Sequence, residues 1–129
     1  MSEGMRAISL WQPWASLIAD GRKSIETRHW PTAVRGPVAI HAAMKVDKEA
    51  CREFGYDPKT IPRGAVLCVV DLSDCVRFPH PSAPPDEYGD FHEGRYGFVM
   101  QLTEVFPEPI PAKGMQGFWF WEAPAGKEG

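Results

Sequence analysis

The chain has 129 residues, 43% of them hydrophobic and 24% charged, with a formal net charge of −3. This is the size and composition of one globular domain with a single core, and no apolar run approaches the roughly 20 residues that cross a bilayer. Three cysteines (Cys51, Cys68 and Cys75) without C-x-x-C spacing argue for reduced thiols and against a disulfide framework or a zinc site, and the net charge excludes a strongly basic nucleic-acid binder.

The N-terminal MSEGMRAI lacks a basic region followed by an apolar one, so no secretion signal is expected and the expected location is cytoplasmic. Met5 to Leu10 reads as a first strand. Pro13 suits a first helical turn, Trp14, Leu17 and Ile18 form one apolar stripe at helical spacing, and Gly21 is a natural stop. Ser24 to Trp30 then reads as a strand ended by Pro31. Alternation places Glu26, Arg28 and Trp30 on one face, and Ile25, Thr27 and His29 on the other.

A further strand is expected over Pro37 to Ala42, with Val38 and Ile40 inward and His41 on the opposite face. Asp47 caps a second helix that ends near Gly55. Ala65 to Val76 is apolar on both faces at first, which predicts a central strand. Phe78 to Gly94 is punctuated by Pro79, Pro81, Pro84 and Pro85, and a connection of that length suggests a functional lid or flap. Arg95 to Phe106 and Phe118 to Trp121 complete the strands. Runs of strands with few helices define an α+β domain or a small, partly open barrel. The reading gives one domain over residues 1–129, its core at about 5–122.

The chemistry-bearing residues concentrate early. Lys23, Glu26 and Arg28 follow the helix stop as G-x-K-x-x-E-x-R. A lysine holds a phosphate or serves in proton transfer, a carboxylate acts as base or holds cations in place, and an arginine grips a phosphate or base edge at two points. Spacing alone leaves open a structural ion pair along a strand. Trp11 is placed to stack a base and Gln12 to read a base edge, whereas Trp14, Trp119 and Trp121 are expected in the core. The other early cations, Arg6, Arg22, Arg35 and Lys45, would make a local basic cleft, and His41 would line it. Asp86 to Glu93 is acidic instead. The scattered histidines show no metal-ligand spacing, Asp71 and Asp74 read as solvated strand-end residues, and no dinucleotide, Walker or nucleophile-elbow motif occurs. No metal and no cofactor are expected.

SLWQPWASLIADGRKSIETRHW, then RGPVAIHAA, GAVLCVVDLSDC, YGFVMQLTEV and PIPAKGMQGFWFWE, resemble the ASCH (activating signal cointegrator homology) domain over about Met5 to Glu122. The resemblance implies a PUA-like fold, a small β-barrel with flanking helices, and a cleft beside the first helix. It implies a partner that is RNA or a nucleoside, or in some members DNA. Lys23, Glu26 and Arg28 would line the cleft, with Trp11 and Gln12 at its rim and Arg22, Lys23, Arg28 and Arg35 on phosphates. One bacterial branch deacetylates N4-acetylcytidine with a lysine at the Lys23 position and a threonine at the Glu26 position; glutamate here removes that nucleophile. A ribonuclease activity is ascribed to other members. The alternative function is therefore a small hydrolase of a modified nucleoside or RNA, with Lys23 and Glu26 as acid–base pair.

Overall fold

In the computed structural model, residues 4–124 are described. Six strands and two short helices follow in the order β1 (Gly4–Gln12), α1 (Trp14–Ala19), β2 (Ile25–Arg28), β3 (Gly36–Val46), α2 (Lys48–Phe54), β4 (Ala65–Arg77), β5 (Tyr96–Pro111) and β6 (Phe118–Glu122). They form one mixed sheet in the order β2-β5-β4-β3-β1-β6. Only β1 and β3 run parallel. Parallel neighbours need a crossover, and the segment that makes it, from α1 through β2 to Arg35, is the one rich in charge and tryptophan.

Alternation gives the sheet two apolar faces. One side buries Ile8 and Leu10 of β1, Val38 and Ile40 of β3, Cys68, Val70 and Leu72 of β4, and Phe98 and Met100 of β5, with Ala15 and Ile18 of α1 packed against them. The other buries Ala7, Ala39, Val66 and Ile110 beneath Trp119 and Trp121. The two alanines leave the volume that the indoles occupy, so both tryptophans sit in the core as expected. Ala65 through Val70 are all buried, in keeping with the central position of β4.

The small β-barrel that the resemblance implies is not closed among the described residues. β2 and β6 stand at the two ends of the strand order with no ladder between them. β2 is only four residues long, and Pro31 soon follows it, so little backbone is available to pair. The bulges along β3 to β5 curl the sheet, and side chains close the remaining distance: Trp30 lies edge-on to Phe98 at 5.4 Å and to Phe118 of β6 at 6.2 Å. The architecture is an α+β curled open sheet.

Local signals explain the helices. Asp47 accepts a hydrogen bond from the Ala50 amide, and Gly55 ends α2 at φ 90°, the left-handed region that glycine takes without strain. α1 differs. Pro13 occupies the cap position without a side-chain acceptor, and Gln12 supplies one instead, its Oε1 accepting from the Ser16 amide at 2.9 Å. Strand ends differ most from expectation. β3 runs on to Val46, which pairs with Gln12, and β5 runs on through Pro107 and Pro109. Those prolines are exposed, as prolines within a sheet must be when they lack an N–H to donate.

Candidate nucleic-acid site

An open cavity of about 1810 Å³ lies where the ends of β1 and β3, the start of α1, β2, α2 and the loops at 87–90 and 111–117 converge. Its floor is the G-x-K-x-x-E-x-R segment. Lys23 is 2% exposed and Glu26 9%. Glu26 sits between two cations: Oε2 accepts from Arg28 Nε at 2.9 Å, and Oε1 lies 3.5 Å from Lys23 Nζ. The predicted shared face of Glu26 and Arg28 is thus real. Lys23 Nζ also donates to the Ile25 carbonyl at 2.6 Å and to the Tyr88 carbonyl at 3.3 Å. Arg28 Nη2 donates to the Ser9 carbonyl at 3.3 Å, and its guanidinium lies 5.7 Å from the Trp30 ring centre.

Beside this triad, Ser9 and His41 form a second polar group. His41 is 3% exposed. Its Nδ1 lies 2.9 Å from Ser9 Oγ, and its Nε2 lies 2.7 Å from the Ala112 carbonyl. Trp119 Nε1 donates to the same Ser9 oxygen at 3.1 Å. One proton arrangement satisfies all three contacts: the indole donates to Ser9, Ser9 to Nδ1, and Nε2–H to Ala112. The loop after β5 is moulded to this pair. A Cβ on Gly114 would fall 2.5 Å from Ser9 Oγ and 2.6 Å from the His41 ring, so only glycine fits there.

The other predicted residues separate. Trp11 is 51% exposed at the cavity, with Lys45 Nζ 4.8 Å from its ring centre. Gln12 does not face the cavity. It is fully buried, its Nε2 donating to Ser16 Oγ and the Pro62 carbonyl while Oε1 caps α1, so its amide is not free to read a base edge. Arg22 lies outside the lining. It donates to the Phe54 carbonyl and stacks 5.7 and 5.8 Å from the Tyr56 and Tyr88 rings. Arg35 lies outside it as well, bonded to the Thr32 and Val34 carbonyls and 3.7 Å from Asp74. Arg6 stacks on Phe120 of β6. The early cations therefore do not gather into one basic cleft.

The lining itself is of mixed sign. It holds four cations, Lys23, Arg28, Arg95 and Lys113, against six carboxylates, Glu26, Asp47, Glu49, Glu53, Glu87 and Asp90. The acidic loop reaches the basic segment directly. Tyr88 packs edge-on against Phe54 at 5.1 Å, and the Asp90 amide donates to Thr27 Oγ1 at 3.2 Å. Hydrogen bonds from the His92 side chain and backbone, with the charges of His92 and Arg95, hold the Asp90 carboxyl below its usual range. Trp14, expected in the core, is half-buried and lines the cavity beside Phe54 and Tyr88. Burial pushes the Cys68 thiol up to about 12 and raises that of Cys51, so both behave as packing groups.

Sequence reasoning missed the wall made by α2 and the contribution of Lys113 and Met115. For α2 a signal existed: Glu49 and Ala50 recur as Glu53 and Phe54 four residues on, which defines one helix face. For Lys113 and Met115 there was none, because their position depends on Gly114 seating against His41.

The fold and its cavity define a PUA-like domain. The ASCH domain family model matches residues 8–97, and the chain belongs to that family. Activating signal cointegrator 1 of Homo sapiens is 29% identical in an alignment covering 91% of this chain and 22% of that protein. The Mus musculus protein of the same name is 28% identical over the same shares. The chain thus spans about a fifth of the length of these relatives. Among solved structures, the ASCH protein of Zymomonas mobilis superposes with a TM-score of 0.52 at 20% identity, covering 82% of this chain and 72% of that one; the likeness is one of fold. No helix among the described residues is long and apolar enough to cross a membrane.

Proposed function

We propose that this chain, acting as one domain over about residues 5–122 in the cytoplasm, binds single-stranded RNA by seating a nucleoside in the cavity above Lys23, Glu26 and Arg28. The observation that carries the reading is the construction of the floor. Three charged groups are ordered by one another and by carbonyls, so they present a fixed pattern without rearranging on binding, and fixed donors bind with less loss of freedom. Arg28 remains a quarter exposed in its side chain, with Nε and Nη2 engaged and Nη1 left for a base edge or ribose hydroxyl. Trp11 offers an exposed ring of the kind on which unpaired bases stack. Membership of a family associated with nucleic acid supports the same reading.

The hydrolase alternative places proton transfer on Lys23 and Glu26. The ammonium is turned toward two carbonyls and Glu26, and Glu26 is held by Arg28, an arrangement that favours holding a ligand over moving a proton. Binding is therefore the function adopted. Arg28→Gln should weaken binding of a short single-stranded RNA about tenfold or more per folded molecule, measured by fluorescence anisotropy below the variant's own melting temperature. Undiminished affinity contradicts the proposal. Incubating the protein with acetylated nucleosides and RNA, followed by product analysis, tests the alternative: turnover abolished by Glu26→Gln would replace binding with catalysis.

A further inference from the structure

The mouth of the cavity has two lips of opposite charge, and they come from different elements. One lip is built from the ends of β1 and β3 and from the 111–117 loop. It carries exposed Trp11, Met44 and Met115 at 51%, 68% and 66% exposure, with exposed Lys113 in the lining and exposed Lys45 just outside it against Trp11. The other lip is α2 with the 87–90 loop, and its exposed lining charges, Glu49, Glu53, Glu87 and Asp90, are all acidic. Of these carboxylates only Asp90 is held by side chains among the described residues, hydrogen-bonded to His92 and 3.6 Å from Arg95. Below both lips the floor cations Lys23 and Arg28 share the single carboxylate of Glu26.

Six large hydrophobic side chains are conspicuously exposed among the described residues, and three of them, Trp11, Met44 and Met115, belong to the cavity. Clustered apolar exposure of this kind marks a contact surface. The adjoining lysines identify its chemistry. A polyanion with flat apolar rings, a nucleic-acid strand, fits rings and methionines flanked by ammonium groups. The same strand is repelled from the acidic lip, where no lining cation is left without a carboxylate. Lys45, 4.8 Å from the Trp11 ring centre, stands where a phosphate beside a stacked base would pass.

We infer that the strand crosses the mouth along the Trp11–Lys45–Lys113 lip, one base stacked on Trp11 and the neighbouring nucleoside in the cavity, and that the acidic side chains of the α2 lip hold no part of it. This rests on the RNA-binding reading above and adds direction to it. It assigns the phosphate contacts to Lys45 and Lys113, in place of Arg22 and Arg35. It also makes an oligonucleotide, not a free nucleoside 5′-monophosphate, the preferred ligand.

The test is binding of a 5′-labelled random-sequence RNA hexamer, by anisotropy, over a range of salt concentrations. Lys45→Glu and Lys113→Glu should each weaken binding at least threefold at low salt. Each should also reduce the slope of log affinity against log salt by about 0.7, the release expected per single-strand phosphate contact. Trp11→Ala should weaken the hexamer at least fivefold while leaving competition by the four free ribonucleosides unchanged. Glu53→Lys and Glu87→Lys should leave hexamer affinity equal or tighter by less than threefold. These side chains are exposed, and unchanged melting temperatures confirm intact folding. Hexamer binding that ignores the Lys45, Lys113 and Trp11 changes overturns this inference alone. Tightening of tenfold or more by the two acidic-lip reversals, with both lysine variants silent, would place the strand on the other lip. No hexamer binding by the wild-type protein overturns both this inference and the RNA-binding reading.

Discussion

Arg22 and Lys23 are adjacent in the chain, and Arg28 and Arg35 are seven residues apart, yet the four cations divide into two kinds. Lys23 and Arg28 converge on Glu26 at the floor of a cavity, where the lysine side chain is 1% exposed. Arg22 and Arg35 lie on the surface, bonded to nearby carbonyls and, for Arg35, loosely paired with Asp74. The difference arises from β2. Pairing with β5 fixes which side chains of the segment turn inward, and Gly21, at φ 76°, swings Lys23 under the sheet while Arg22 stays outside. A run of positive residues is thus two different objects, one a buried fixture and the other a solvated surface.

That division can be broken most sharply at Glu26. Glu26→Ala leaves Lys23 buried without its carboxylate, and loss of one partner of a buried ion pair costs about 3–5 kcal/mol. Urea unfolding should show a loss of that order, and a loss below about 1 kcal/mol would mean that the floor is not a buried ion-pair network. Gln12→Ala comes next. It removes the cap on α1 and leaves Ser16 and the Pro62 carbonyl without the amide, at about 2–3 kcal/mol, while RNA affinity per folded molecule should stay unchanged. An affinity loss without a stability loss would return Gln12 to the site.

Gly114→Ala should cost about 1–3 kcal/mol as the loop is pushed off Ser9 and His41, with greater protease sensitivity near Lys113; wild-type stability would show that the loop is free to shift. Smallest is Arg35→Ala, expected within about 0.5 kcal/mol of wild type in stability and without effect on RNA affinity. A marked affinity loss there would erase the contrast between the two kinds of cation.

Much of this was legible in the sequence. Alternation over Ile25 to Arg28 placed Glu26 with Arg28, the apolar run of β4 declared a central strand, and Asp47 and Gly55 bounded α2. The failures have physical causes. Pro107 and Pro109 looked like the end of a strand because a proline forbids a ladder bond, but an edge leaves that position unpaired. Gln12 looked like a reading head because an amide offers a donor and an acceptor, and the same two valences serve equally well to cap a helix that begins with Pro13. Trp14 sits on the apolar stripe of α1, yet the stripe is wider than the core it meets, and α2 and Tyr88 leave its remaining face to the cavity. Charge read along the chain permitted a basic cleft of the early cations, and the structure disperses them. The basic segment and the acidic loop are some sixty residues apart in sequence, but the ladder of β2 on β5 and the loop's contacts at Thr27 and Lys23 bring them to one opening.

The central claim is that the ligand enters over the buried Lys23–Glu26–Arg28 floor and not on the exposed cations of the same segment. A titration of isotopically labelled protein with a short single-stranded RNA, followed by two-dimensional NMR of backbone amides, tryptophan indoles and arginine side chains, tests it directly. The account predicts the largest shifts at the Trp11 indole, the Arg28 Nε–H and the amides of 111–117, with Arg22 and Arg35 nearly silent. Shifts concentrated at Arg22 and Arg35, with the cavity resonances unmoved, would contradict it.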